Sequence, residues 1–464
     1  MPPQHQQIFS DEDQEITRNT SLACTEKMKG HEKQTEPFLS PIHSLPLLVL
    51  NDMFAVALVV PLLFQYYQQA GVTSASQREL LSSLFSSSQI VGGLLLGFIA
   101  DSGLIQRRTI LYISFFGSAL SYALIAQGGF WALVCSRIIV GLVKQTMTVT
   151  TTMMARYTTT EDRTKHMARL TASSTMAWVI GPSVGGFLYK NVDERAPPII
   201  ACGMFLVNIV LTALLIPTDN DNDNDIDQTR PDKSKSSKKN FSSFTSNLRS
   251  CFESKALGSA ILSLLLFSWV ARATSYANMA SYYEEMYGIE PYQRGYLSSY
   301  QQFLNFVVQS GLIAPLLQMC GGERKASVWA AFVLAVSTWV EIHASLSVFI
   351  VLLCPAIAAS LALMRISLRS IVTHVAPKES LGSVLAALDV LQNIAAVTVP
   401  FYRTLLFSIM IDDGDAAMKG DPDPISWLIS SGLHWCLAAM VMGYFLIISS
   451  QKESNRMDKD KKTR

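Results

Sequence analysis

The residues best placed for chemistry in this chain are charges set deep inside apolar runs. Asp52 follows Asn51 within the run 43–68, Arg137 lies in the middle of 129–152, and Lys144 stands seven positions beyond it. An ionised side chain at the centre of an apolar helix costs at least about 2.5–3.5 kcal/mol on insertion scales, so it needs a partner or water. At about 1.5 Å per residue, Asp52 sits roughly 13 Å into its run, and Arg137 lies slightly further out. An arginine side chain spans that difference, so Arg137 is the expected partner of Asp52. A carboxylate beside a guanidinium can exchange an ion-paired form for a protonated one as its surroundings change, which is proton-coupling chemistry. The other reading is a permanent salt bridge locking two helices together. Lys144, two turns from Arg137 and nearly on its face, either joins this group or snorkels to the nearer membrane surface.

The second half of the chain repeats the pattern with Arg272, Arg365 and Asp389, again charges at membrane depth. Arg365 and Arg369 are four apart and share a helical face. A tyrosine-rich stretch contains Tyr276, Tyr282, Tyr283, Tyr287, Tyr292, Tyr296 and Tyr300. Tyr276 lies deep enough to face a cavity, and the others read as an aromatic belt at the membrane interface. His434 is either a proton relay or a hydrogen-bonded packing residue. Glu341 and His343 fall at a loop and receive no role.

No cofactor or metal is expected. The seven cysteines form no Cys-x-x-Cys pair, and the run Asp219 to Asp225 lacks the glycine and closing glutamate of a calcium loop. No nucleophile–base pair or phosphate loop appears, so an enzyme is the poorest reading, and no nucleic-acid partner is expected.

Elements that could hold such charges follow from the arithmetic. Of 464 residues only 16% are charged and 49% are apolar, against about 25% charged in a soluble protein. Twelve spanning helices of roughly 20 residues would use about 240 residues. Apolar spans fall at 43–68, 79–101, 109–127, 129–152, 166–190 and 198–216, then at 256–284, 295–319, 326–346, 347–374, 381–411 and 426–449. The expected fold class is an all-α polytopic membrane protein of two six-helix bundles, 43–216 and 256–449. A disordered tail (1–42), a charged linker (217–255) and a basic tail (450–464) complete the chain. Low apolar content and like-charge blocks predict disorder in the linker. Lys and Arg crowd one side of the spans, which places both termini and the linker in the cytosol.

Motifs narrow the class. The fifth span holds Gly181-Pro182-Ser183-Val184-Gly185-Gly186. Small residues four apart allow close helix approach, and the proline bends the helix and frees a carbonyl. Read alone, this is a packing groove. The fourth span holds Leu133-x-x-x-Arg137-x-x-x-Gly141, and the loop after the second reads Gly97-x-x-x-Asp101-Ser102-Gly103-Leu104-Ile105-Gln106-Arg107-Arg108. On these three motifs, with Asn51-Asp52 and Pro61, the chain resembles the major facilitator superfamily in its drug:proton antiporter-type branch. It is most similar there to a small orphan group that includes a tetracycline-transporter-like protein. The loop departs from the family pattern: Ser102 replaces a basic residue, and Arg107 and Arg108 lie off the family spacing.

The resemblance implies alternating access around a midplane cavity and transport of a small organic solute, drug-like or cationic, exchanged for protons. It implies a monomer embedded in the bilayer. Asp52 and Arg137 would serve coupling, and Lys144, Tyr276, Arg272, Arg365 and Asp389 would face the cavity. Gly181, Pro182, Gly185 and Gly186 would form the bending element, and Gly97, Asp101, Arg107 and Arg108 the cytosolic latch. A cation would compete with protons for Asp52, whereas the cavity arginines would suit an anion. A uniporter or symporter on the same fold, and a non-transporting scaffold, are the alternatives.

Overall fold

The computed structural model describes residues 41–101, 105–158, 162–216, 255–275, 280–376, 381–410 and 423–448. The two expected tails and the linker lie outside these residues apart from 41–42 and 255, because the first helix starts at Pro41 and the seventh at Lys255.

Among the described residues the chain forms twelve long helices. The first half contains α1 (Ile42–Gln69), α2 (Ala75–Asp101), α3 (Arg107–Gln127), α4 (Phe130–Val143 continuing as Thr146–Tyr157), α5 (Arg163–Asn191) and α6 (Ala196–Leu215). The second contains α7 (Lys255–Ala273), α8 (Pro291–Cys320), α9 (Glu323–Glu341), α10 (Leu346–Val375), α11 (Leu381–Met410) and α12 (Pro424–Ile447). A short helix, Ala280–Tyr287, stands between α7 and α8. Ten of the twelve are long and apolar enough to cross a membrane. The other two are α5, with Thr171, Ser173, Ser174 and Thr175 in its course, and α9, with Glu323, Arg324, Lys325 and Glu341 at its ends. Helices are the natural solution in lipid because every backbone group is satisfied inside the segment. Hydroxyls add to this: Thr150 donates to the Thr146 carbonyl at 2.7 Å, and Thr338 to Leu334 at 2.7 Å.

Each half has its own apolar core. Leu48, Leu58, Phe115 and Phe205 centre the first, and Leu264, Phe267, Leu334 and Trp435 the second. The halves meet at one end of the bundle, where α1 finishes and α2 begins. There Ala75 of α2 joins a cluster of Tyr282, Phe349 and Trp427. Toward the opposite end the α5–α8 contact does not continue: no residue of Ile313–Cys320 is buried, and Arg169, Thr171 and Ala172 are exposed.

Two helices depart from the expected spans. Span four runs to Tyr157 and breaks at Lys144 and Gln145. The seventh helix ends at Ala273, short of the expected 284.

Candidate functional site

Asp52 is completely buried, and its Oδ1 lies 2.5 Å from the Nζ of Lys144. Arg137 is not its partner. The break in α4 decides this: Lys144 and Gln145 leave the helical path, and helix resumes at Thr146. The Lys144 side chain thereby points to α1, with its ammonium over the Phe205 ring at 4.7 Å. Arg137, seven residues earlier on an intact helix, instead lies beside the Tyr67 phenol. The break is held on its far side as well. Ser114 of α3 contacts the Thr146 hydroxyl at 3.0 Å, and Thr146 reaches Asp52 Oδ1 at 3.5 Å. Next to Asp52, Asn51 ties α1 to α6 by donating to Asn208 Oδ1 at 2.9 Å and to the Met204 carbonyl at 3.0 Å. One carboxylate oxygen, Oδ2, has no hydrogen-bond partner.

This pair stands at the edge of a cavity between the halves. Lys144 lines a 470 Å³ space with Gln89 and Gly93 of α2 and Asn393 of α11. A second space of 690 Å³ is walled by α2, α7, α10 and α11, and Arg272, Arg365 and Arg369 all open into it. The sequence expectation that Arg365 and Arg369 share a face is met here. A third, of 390 Å³, adjoins Pro61, Trp178 and Arg294. The site is therefore a set of polar spaces at the midline, with a buried ion pair on one wall and arginines on another.

The Gly-Pro-x-x-Gly-Gly run works on two sides. A side-chain carbon at Gly181 would lie 2.5 Å from the Ala57 Cβ, and one at Gly185 would collide with the Leu58 carbonyl, so these two glycines seat α5 on α1. Gly186 faces the other half, where a Cβ would collide with the Tyr292 carbonyl; Gly295 lies equally close to the Pro182 carbonyl. Pro182 cannot donate a backbone hydrogen bond, and the following N–H, of Ser183, is given across the interface to Ser299 Oγ at 2.9 Å.

Other expected residues divide. Arg108 donates to the Ala213 carbonyl at 2.6 Å, a cation at the C-terminal end of α6, and Arg107 opens α3 beside it. Tyr276 and the side chains of Gly97, Asp101 and Asp389 lie outside the described residues. The aromatic-belt reading fails for Tyr282 and Tyr283, which are buried in the apolar cluster at the sealed end. His434 is a packing residue, bonded to the Tyr402 hydroxyl and donating from Nδ1 to the Ser430 carbonyl at 2.6 Å.

Five charges escaped the sequence reading. Glu79 of α2 and Arg403 of α11 form an ion pair at 3.2 Å, 2% and 1% exposed, across the two halves. Arg78 and Arg294 face the Phe64 ring from opposite halves at 4.8 and 5.1 Å. Glu341, assigned to a loop, is fully buried and accepts from the Tyr282 hydroxyl at 2.7 Å. Arg78, Glu79, Arg294 and Glu341 lie near span boundaries, where the pattern of charge resembles that of an ordinary loop, whereas Arg403 falls inside the eleventh span.

Two helical halves enclose spaces between them, with buried charges on the facing walls. The model of the Major Facilitator Superfamily matches residues 47–400, and the chain belongs to that family. The tetracycline resistance protein, class H, of Pasteurella multocida is 27% identical over 173 residues, 36% of this chain and 42% of that protein. The chain thus aligns with less than half the length of the curated relatives it matches. Among solved structures, the nucleoside transporter NupG superposes with a TM-score of 0.70 at 11% identity, over 88% of this chain and 100% of its own. The human organic anion transporter MFSD10 does so at 0.56 and 17%, over 86% and 98%. At those identities the likeness shows the fold.

Proposed function

We propose that the protein is a proton-coupled antiporter of a small organic solute, working as a monomer by alternating access with both termini cytosolic. The observation that carries this is the Asp52–Lys144 pair, buried at a helix break and bordering the cavity. Discontinuous helices at the midplane are where carriers of this architecture place coupling ions. Protonation of Asp52 releases Lys144, and the ammonium left behind must find water or another partner, which favours one opening of the cavity over the other.

The sealed end, with Gly186, Glu79 and Phe64, is then external, and the structure is the inward-open state. Gly97 and Asp101, at the end of α2, act with Arg107 and Arg108 as the cytosolic latch that closes when the external end opens. Arg137, beside Tyr67, supports the pair by position. The named relatives are a tetracycline resistance protein, a nucleoside transporter and an organic anion transporter, and this supports a small organic solute here.

The test uses full-length protein in liposomes with a trapped pH dye and an imposed pH gradient, challenged with organic anions, cations and neutral drugs. Solute-dependent proton movement that disappears in Asp52→Asn is the expected result. Solute flux with no proton movement in wild type would sink the coupling and leave a uniporter.

A further inference from the structure

We propose that the cavity between the halves binds an amphipathic organic anion, gripped by Arg272 of α7 and Arg365 of α10. This specifies the site of the transporter reading and rests on it for the consequence that the anion is carried.

The 690 Å³ cavity runs from the Glu79–Arg403 ion pair to Arg369, within the size range that encloses a drug-sized ligand. Its described charged lining is four arginines and one glutamate. Glu79 and Arg403 bind each other, so three cations are left facing the space. Among the described residues no hydrogen bond or ion pair satisfies Arg272, Arg365 or Arg369, and all three are exposed to the cavity side. Arg365 lies close enough to Arg272 for the two to repel.

Two repelling guanidinium groups in a low-dielectric cleft create a strong positive potential, which concentrates anions and rejects cations. Each guanidinium presents a planar fork of donors that fits a carboxylate or sulfonate in a two-point contact. An anion between them relieves the repulsion and supplies both missing partners. Beside the serines and Gln392 of the lining, Leu264, Phe267, Leu361 and Leu388 form an apolar stretch of wall, which suits a hydrophobic body attached to the acid group.

Competition between protons and a cationic solute for Asp52, the sequence-based expectation, does not suit this arrangement. Asp52 has no exposed surface, and Lys144, itself a cation, occupies its carboxylate and stands between it and the cavity.

Two xanthene dyes of similar size and opposite charge provide the test: carboxyfluorescein and tetramethylrhodamine methyl ester. Binding to the full chain in detergent is read by fluorescence polarisation, and flux by uptake into proteoliposomes. Saturable binding of the anion but not the cation is expected. Arg272→Gln and Arg365→Gln should each weaken it about 10- to 100-fold, the span of a hydrogen bond to a charged group. Arg365→Lys should restore part of the loss, which a purely structural role would not. Tighter binding of the cation overturns the proposal, as does anion affinity unchanged in both glutamine variants, or no saturable anion binding to folded protein. Arginine-dependent anion binding without flux would keep the site and remove the transporter reading. Cation flux without anion binding would do the reverse.

Discussion

Lys144 holds Asp52 from across a break in its own helix, with Nζ 2.5 Å from Oδ1 and the carboxylate wholly buried. An unbroken α4 would carry Lys144 two turns beyond Arg137 on nearly the same face. The interruption at Lys144 and Gln145 instead separates the two cations, giving one to a carboxylate and leaving the other beside a phenol.

The first prediction concerns that division. Removing one member of a buried ion pair costs about 3–5 kcal/mol, because the other charge is left unpaired. Lys144→Gln and Asp52→Asn should both abolish solute-dependent proton movement. Arg137→Gln, which leaves the pair intact, should retain part of it. The double variant Asp52→Asn/Lys144→Gln should be more stable than Lys144→Gln alone, since no orphan carboxylate remains. Thermal unfolding of the purified variants checks the order, and additive losses would count against a coupled pair.

The seal where the halves meet gives the second. Gly186 and Gly295 lie backbone to backbone between α5 and α8, with no room for a methyl group on either. Overpacking of a tight contact costs about 1–3 kcal/mol. That cost falls only on the state in which this end is closed, so Gly186→Ala should shift the population toward opening at this end. A cysteine introduced at Ser299, beside the seal, should label faster in this background. Gly203→Ala, at a position with open space around it, is the neutral control.

The third tests the ion pair between the halves. Glu79→Gln strands Arg403, which is 1% exposed, and should open the same end by a comparable free energy. The exchanged pair Glu79→Arg/Arg403→Glu should close it again in part. If accessibility in the exchanged variant matched that of Glu79→Gln, the pair would have no role in closure.

A fourth prediction separates stability from coupling. Glu341 is buried at the end of α9 and accepts from Tyr282 at 2.7 Å and Tyr287 at 3.4 Å. A hydrogen bond to a charged group contributes about 1.5–3 kcal/mol, so Tyr282→Phe should lower the unfolding temperature measurably. Tyr287→Phe, whose bond is longer, should lower it less. Proton movement per solute should stay at the wild-type ratio in both variants, and a changed ratio would show that Glu341 takes part in coupling.

Much of this protein is legible in its sequence for a physical reason. A segment in lipid must satisfy its own backbone, so hydropathy over about 20 residues is a local property that any span carries with it. Ten of the twelve helices and the close packing at Gly181–Gly186 are of that kind. Charges meant for the midline stand out because their surroundings are apolar; Asp52, Lys144, Arg272 and Arg365 were found that way.

Pairing is not local. Which cation reaches Asp52 depended on a two-residue break in α4 that no proline or glycine occupies, and on the single Ser114 hydroxyl of α3 that holds it. Glu79 and Arg403 are 324 positions apart in the chain and meet only because α2 packs on α11. Gly186 and Pro182 differ from Gly181 and Gly185 in facing the second half, a distinction set by the rotation of α5 between α1 and α8. Sequence determined the helices and the charges they bury; only the packing of helices distant in sequence, by fixing their rotation and approach, decided which charges meet.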